Sequence, residues 1–296
     1  MLTLPTGRFA PSPTGELHLG NARTALLSWL WARSEKGRYL VRIEDIDTPR
    51  VKPGMAQQQL DELQWLGLDW DGEPVWQSRR THLYQAALER LKDQVYECFC
   101  SRAEIAAAAS APQGDEGPRY PGTCSSLSER QRSERRRTRA PSIRLRVPPG
   151  SIKFHDEIMG DQSFDTQALT GDFVLRRADG MFAYQLAVTV DDGAQGVTQV
   201  LRGTDLLAST ARQILLHRLL DQPEPRWAHA PLVLNAKGER LAKRDTPLSL
   251  STLRQRGANP KAVLSHLAQI SGFANLQEFS IQKVPRTPVP VANLPY

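Results

Sequence analysis

Two short stretches, far apart in a chain of 296 residues, carry side chains suited to handling phosphate. The first, PSPTGELHLGN (residues 11–21), arranges Pro11, Pro13, Gly15 and Gly20 around a single imidazole, His18, directly before an apolar run. A helix N-terminus presents free backbone N–H groups and the positive end of a dipole, and both attract an anion. In that setting the prolines fix the approach of the chain and Gly15 permits a turn. Gly20 removes a side chain where a ligand would meet backbone, and His18 can donate to a phosphate oxygen. The second stretch, ERLAKRD (239–245), sets Lys243 beside Arg240 and Arg244 after an apolar segment. Such a cluster can reach a triphosphate and stabilise charge that grows during attack at the α-phosphorus. Glu44 and Arg202, each at the end of a strand-like run, suit an ammonium and a carboxylate. Each feature has an ordinary alternative when read alone: a Pro/Gly turn, a solvated basic loop, a surface ion pair.

The three cysteines form a third group. Cys98 and Cys100 stand two residues apart and Cys124 follows 24 residues later. An odd number in a large chain cannot make a disulfide framework, so reduced thiols or a metal site are expected. Unaided, the spacing is a weak zinc signal, because zinc sites usually show C-x2-C pairs and four ligands. Between residues 129 and 146 lie eight arginines against two glutamates, which reads equally as a contact for an RNA backbone or as a solvated helix face. The net charge of +6 favours a polyanionic partner modestly. No apolar run of membrane-spanning length occurs and the N-terminus lacks the pattern of an export signal, so a cytoplasmic protein with no membrane partner is expected.

The elements that must position these residues follow from hydrophobic pattern. Residues 3–10 read as a strand, and NARTALLSWLWARSEKG as a helix, with Ala22, Leu26, Leu27 and Leu30 near a 3.6-residue period and Gly37 as its stop. RYLVRIEDID reads as a second strand; strand, helix, strand in about 45 residues suggests a right-handed crossover in a parallel sheet. MAQQQLDELQWLGLDW and THLYQAALERLKDQV are amphipathic helices. Residues 143–190, through YQLAVTVDD, read as strand-rich, with Asp179-Gly180 as a hairpin turn. TDLLASTARQILLHRLL is a helix, Asn259-Pro260 opens another, and the proline-rich end from 284 reads as irregular. The expected divisions are 1–95 and 184–247 as halves of one α/β unit, 96–183 as an insertion, and 248–296 as a helical segment and tail.

PSPTGELHLGN and RLAKR, in this order and at this separation, resemble the two signature motifs of class I aminoacyl-tRNA synthetases, with Asn21 at the last position of the first and Arg240 at the first position of the second. RFAPSPTGELHLGNARTAL, RIEDIDTPR, YQLAVTVDDGAQGVTQVLRGTDLLAST and HAPLVLNAKGERLAKRD are similar to the glutamyl branch, a resemblance spanning about residues 5–275. It implies an α/β class I Rossmann-like nucleotide-binding fold with a parallel sheet, a zinc-bearing insertion and a short C-terminal helical segment. Only about fifty residues follow Lys243, so the helical region that reads the anticodon is expected to be missing. That shortening, with the cysteine module, resembles the glutamyl-queuosine tRNA(Asp) synthetases. Such enzymes activate L-glutamate with ATP and Mg2+ and attach it to the queuosine base of tRNA(Asp). Val188, where glutamyl-tRNA synthetases usually carry Asn, agrees with this branch.

Carried over by position, the resemblance implies that Arg8, Phe9, Ala10, Pro11 and Ser12 line a glutamate pocket. Arg8 and Arg202 would meet carboxylate, Glu44 the α-ammonium, and the Tyr184 hydroxyl would close the pocket. His18, Gly20, Asn21, Arg240, Lys243 and Arg244 would hold ATP, with His18 and Lys243 catalytic. Tyr120 would complete a structural zinc site with Cys98, Cys100 and Cys124, with His155 or water as the alternative fourth ligand. A monomer is the simplest expectation. Two other functions compete: a shortened enzyme charging the tRNA 3′ end, and a non-catalytic RNA-binding module, against which the presence of His18, Glu44, Arg202 and Lys243 argues.

Overall fold

The computed structural model describes residues 4–108, 119–235, 238 and 249–291. Its strands are β1 (Thr6–Phe9), β2 (Arg38–Ile43), β3 (Val75–Trp76), β4 (Val95–Cys98), β5 (Ser142–Leu145), β6 (Ser151–Asp156), β7 (Gly160–Asp165), β8 (Val174–Arg176), β9 (Gln199–Gly203), β10 (Arg226–Ala230), β11 (Val233–Leu234) and β12 (Val289–Pro290). Its helices are α1 (Leu19–Ser34), α2 (Met55–Trp65), α3 (Thr81–Arg90), α4 (Arg102–Ala108), α5 (Glu129–Arg136), α6 (Thr166–Leu169), α7 (Tyr184–Ala194), α8 (Leu207–Leu219), α9 (Leu250–Gln255) and α10 (Pro260–Gln269). No helix among the described residues is long and apolar enough to cross a membrane.

Seven strands form one sheet in the order β3-β2-β1-β9-β10-β6-β7. All neighbours from β3 to β6 are parallel, and β7 turns back on β6 as an antiparallel hairpin. The order reverses at β1, which joins β2 on one side and β9 on the other. In open parallel sheets the crevice beyond the strand C-termini at such a reversal is where ligands bind. All four residues of β1 are buried, as expected for a central strand covered on both faces.

Helix α1 is buried on most of its surface. Leu19, Ala22, Leu26 and Leu30 pack with Leu250, Leu253, Val263 and Leu267 of the C-terminal helices, while Leu27 and Trp31 pack with Leu201, Ala228 and Phe273. The C-terminal segment thus holds α1 down, and α1 in turn fixes the turn that precedes it. A second apolar cluster joins α3, α7 and α8 through Tyr84, Leu88, Leu186, Val190, Leu215 and Leu216.

Two expectations change. YQLAVTVDD, read as strand, begins helix α7. Leu186, Ala187, Val188 and Val190 are all buried there, and this short apolar run with β-branched Val188, Thr189 and Val190 has the composition of a buried strand. The proline-rich end also carries one short strand: the Val289 and Val291 N–H groups donate to Leu232 and Leu234 carbonyls, leaving Pro290 at a position that needs no donor. The Asp179-Gly180 turn closes as read, with Gly180 at φ +87° and the Arg177 N–H bonded to the Met181 carbonyl. The stretch 96–183 contains a separate antiparallel sheet, β4-β5-β8, and also the β6–β7 hairpin that extends the main sheet.

Candidate active site and metal centre

A cavity of about 530 Å³ opens at the C-terminal ends of β1 and β9. Arg8, Phe9, Ala10, Pro11 and Ser12 enter it from the end of β1, Glu44 follows β2, Tyr184 starts α7, and Arg202 closes β9. His18, Gly20 and Asn21 line the same cavity from the start of α1. The structure therefore gathers in one cleft residues drawn from across nearly 200 positions of sequence. Arg240, Lys243 and Arg244 lie outside the described residues. Val188 is fully buried on α7 and is not part of the wall.

The imidazole of His18 has a structural duty as well. Its Nδ1 accepts the Asn21 N–H at 3.2 Å, and the Asn21 side-chain oxygen accepts the His18 N–H at 3.2 Å, a reciprocal cap on α1. An accepting Nδ1 places the ring proton on Nε2, which makes that nitrogen a donor. Gly20 makes this geometry possible: a Cβ there would stand 2.9 Å from His18 Cε1. The glycine therefore clears room for the imidazole, where the sequence suggested only room for a ligand.

Under the cleft floor lies a network of buried charge that the sequence did not reveal. Arg8 pairs with Asp192 at 3.3 Å, and Arg42 pairs with Asp192 at 2.7 Å, with Glu44 at 3.5 Å and with Asp191 at 3.9 Å. Asp191 is held further by Arg80, Gln77 and Tyr84. Three guanidinium groups face three carboxylates, so the network is neutral when all are charged. Burial pushes the Glu44 carboxyl up to about 7 even though Arg42 and Arg8 oppose that rise. Burial works against Asp192 too, but there Arg8 and Arg42 prevail and hold it below the usual carboxylate range. The tyrosine hydroxyl of Tyr184 is raised by burial and stays neutral. The only local hint of this network was the adjacent acid pair inside an apolar run, Asp191-Asp192.

Arg202 is enclosed on its far side. Its Nε donates to His229 Nε2 at 3.1 Å, Nη1 to the Gln213 side-chain oxygen at 2.7 Å, and Nη2 to Thr210 Oγ1 at 2.7 Å. A cleft with Arg8, Arg202 and Glu44 in its wall suits a zwitterion bearing an extra carboxylate.

The cysteines meet in a second place. The Sγ atoms of Cys98, Cys100 and Cys124 all lie within 4.8 Å of one another, with Cys100 and Cys124 at 3.6 Å, so the group can hold a metal ion. The Tyr120 hydroxyl lies 3.3 Å from Cys98 Sγ and 3.9 Å from Cys100 Sγ, and accepts the Cys124 N–H at 2.9 Å. His155 is elsewhere, exposed on the β6–β7 hairpin and bonded to Asp161 at 2.7 Å. A larger cavity of about 1010 Å³ runs between the cysteine module and the cleft, sharing Ser12, Glu44, Arg50 and Tyr184 with it.

A family profile described as tRNA synthetases class I (E and Q), catalytic domain, matches residues 6–284. The chain belongs to this family. It is 49% identical over 306 residues to a protein of Symbiobacterium thermophilum named Glutamyl-Q tRNA(Asp) synthetase, covering 96% of this chain and 94% of that one. It is 53% identical over 251 residues to a Geobacter sulfurreducens protein of the same name, covering 84% and 78%. Among solved structures, a glutamate tRNA ligase from Elizabethkingia meningosepticum in complex with its amino acid superposes with a TM-score of 0.85 at 30% identity, over 98% of this chain and 67% of that one. The class I synthetase fold, implied by the resemblance, is thus the fold of the chain, and the class I E/Q family accounts for the parallel sheet and the crevice at its reversal.

Proposed function

We propose that this class I synthetase activates L-glutamate with ATP and transfers it to the queuosine base in the anticodon of tRNA(Asp). One observation carries the reading: Arg8, Glu44, Tyr184 and Arg202 converge on a single cleft whose mouth is the His18-capped start of α1. The names of its relatives, two of them covered over nine-tenths or more of both chains, support the acceptor.

Glutamate enters with its carboxylates toward Arg8 and Arg202 and its ammonium toward Glu44. Glutamine leaves a buried guanidinium without its anion, which opposes binding by several kcal/mol in principle and provides selectivity. ATP docks with its phosphates at the α1 N-terminus, where His18 Nε2–H and backbone N–H groups donate to them. Mg2+ carried with ATP supplies neutralisation of the phosphate charge. The glutamate α-carboxylate oxygen bonds to the α-phosphorus as the α–β bridging bond breaks, so glutamyl-adenylate forms and pyrophosphate departs. Lys243, with Arg240 and Arg244, stabilises that departing charge. The adenylate then loses AMP as its acyl carbon bonds to a hydroxyl of the queuosine cyclopentenediol. The 1010 Å³ cavity beside the cleft has room for this nucleoside, and its walls carry five arginines (Arg50, Arg102, Arg139, Arg144, Arg177) against three carboxylates.

Cys98, Cys100, Cys124 and Tyr120 hold one structural zinc. The donor set fits: tetrahedral Zn–S bonds of about 2.3 Å place sulfurs about 3.8 Å apart, close to the 3.6 Å between Cys100 and Cys124. The Phe99 N–H and Arg135 also donate toward Cys124 Sγ. The protein acts in the cytoplasm as a monomer.

The test is incubation with labelled glutamate, ATP and total tRNA, followed by isolation of the labelled species. The expected label is on tRNA(Asp), persists when the 3′-terminal nucleoside is removed, and is absent from tRNA(Asp) lacking queuosine. Label on the 3′ end of tRNA(Glu) overturns the proposal.

A further inference from the structure

Arg202 is oriented by a chain of buried groups that runs from β9 through β10 to the end of β6. His229 on β10 is the direct register partner of Arg202 on β9, and Asp156 ends the next strand, β6. His229 and Asp156 have no exposed surface. The two oxygens of Asp156 divide their work. Oδ1 accepts the backbone N–H groups of Ile158 (3.1 Å), Met159 (2.8 Å) and His229 (3.2 Å), while Oδ2 faces His229 Nδ1 at 2.6 Å. A carboxylate oxygen only accepts, so Nδ1 carries the imidazole proton. The single lone pair of Nε2 then points at Arg202 Nε–H, 3.1 Å away.

The charge state agrees with this geometry. Burial, aided by the Arg202 and Arg8 charges, pulls the His229 imidazole down to about 4 against the pull of Asp156, so the ring is neutral near pH 7. Asp156 stays ionised: burial opposes this, but the His229 bond and the backbone N–H groups outweigh it. Guanidinium and carboxylate are thereby linked through a neutral ring that can accept on one side only because it donates on the other.

We propose that Asp156 and His229 are positioning residues for glutamate recognition: Asp156 fixes the Nδ1-protonated tautomer of His229, whose Nε2 then holds the Arg202 guanidinium in the cleft wall. The proposal rests on the reading of Arg202 as a glutamate ligand given above. Neither residue reaches the cleft itself, since neither lines the cavity. Thr210 Oγ1, 3.1 Å from His229 Nε2 and 2.7 Å from Arg202 Nη2, takes part at the same junction.

Asp156→Asn is the discriminating substitution. It is nearly isosteric, and the amide oxygen can keep the three backbone N–H bonds at the Oδ1 position. Its NH2 then meets His229 Nδ1 as a donor, so the ring switches to the Nε2-protonated tautomer. Two donors, Nε2–H and Arg202 Nε–H, face each other, and the guanidinium must turn away. Loss of a hydrogen bond to a charged group corresponds to about a tenfold or greater change.

The experiment pairs 15N NMR of histidine-labelled protein with glutamate-dependent ATP–pyrophosphate exchange. In the wild type, His229 should show a protonated Nδ1 and a bare Nε2 from pH 6 to 8; a protonated Nε2 overturns the proposal and requires no variant to fold. In Asp156→Asn the tautomer should invert, with the KM for glutamate up about tenfold and the KM for ATP within about twofold of wild type. An inverted tautomer with unchanged glutamate KM overturns the positioning role. Arg202→Lys separates the two levels: if it leaves the glutamate KM unmoved, the reading of Arg202 as a ligand fails, and the proposal with it. If it raises that KM while the Asp156→Asn variant with inverted tautomer does not, the positioning role alone fails.

Discussion

If Glu44 receives the substrate ammonium as proposed, its buried carboxyl makes glutamate recognition dependent on pH in a way that can be worked out in advance. Burial raises this carboxyl to about 7, with Arg42 at 3.5 Å and Arg8 opposing the rise. As the acceptor for an ammonium group it functions only when ionised. With a midpoint near 7, about one-eleventh of molecules are ionised at pH 6 and about ten-elevenths at pH 8. Apparent affinity scales with the competent fraction, so the KM for glutamate in pyrophosphate exchange should fall about tenfold between pH 6 and pH 8. The α-ammonium of free glutamate titrates well above this range, and His229, at about 4, titrates well below it. Glu44→Gln should raise the KM at pH 8 and flatten its pH dependence. Stability moves in the opposite sense. A carboxyl raised in the fold favours the protonated form, so its contribution is complete below about 4.5 and is lost as pH rises through about 7. The glutamine variant should therefore be more stable to unfolding than wild type at pH 8, by up to about 3 kcal/mol in urea titration, and not at pH 4. A glutamate KM that is flat from pH 6 to 8, or a slope that survives in Glu44→Gln, refutes the assignment of Glu44 to the ammonium.

Asp192→Ala removes the carboxylate that pairs with buried Arg8 and leaves Arg42 only its longer contacts to Glu44 and Asp191, and should lower unfolding free energy by about 3–5 kcal/mol in urea titration, with no glutamate-dependent exchange. Gly20→Ala brings a methyl 2.9 Å from the His18 ring and should reduce kcat for exchange more than it disturbs folding, measured as rate against melting temperature. Lys243→Ala should slow exchange by about two to three orders of magnitude, the loss expected for a charge-stabilising group; an unchanged rate removes it from the mechanism. Removing the metal with a strong chelator should release about one zinc per chain and lower the melting temperature of the protein, and Cys100→Ser should bind less than wild type by elemental analysis.

Much of the fold was readable because its elements carry local signals. The turn-and-helix start at residues 11–21, the Asn259-Pro260 cap and the Asp179-Gly180 turn each depend on neighbouring residues, and all three form as read. Helix α7 was read as strand because its short apolar run, with β-branched Val188, Thr189 and Val190, has the composition of a buried strand. The candidate cleft was assembled from sequence by resemblance to a family; its wall residues do meet in space, from Arg8 to Arg202. The supporting layer was invisible for a plain physical reason. Asp156 and His229 are 73 positions apart and Arg8 and Asp192 are 184 apart, so no spacing rule links them until the sheet order brings their strands together. His18 shows a subtler loss: its type suggested phosphate contact, whereas its reciprocal cap with Asn21 depends on backbone geometry at the helix start.

The most direct measurement is a crystal structure with L-glutamate bound. Its carboxylates should lie within hydrogen-bond distance of the Arg8 and Arg202 guanidinium groups, with its ammonium on Glu44. Glutamate seated elsewhere, or with both guanidinium groups turned from it, contradicts the account.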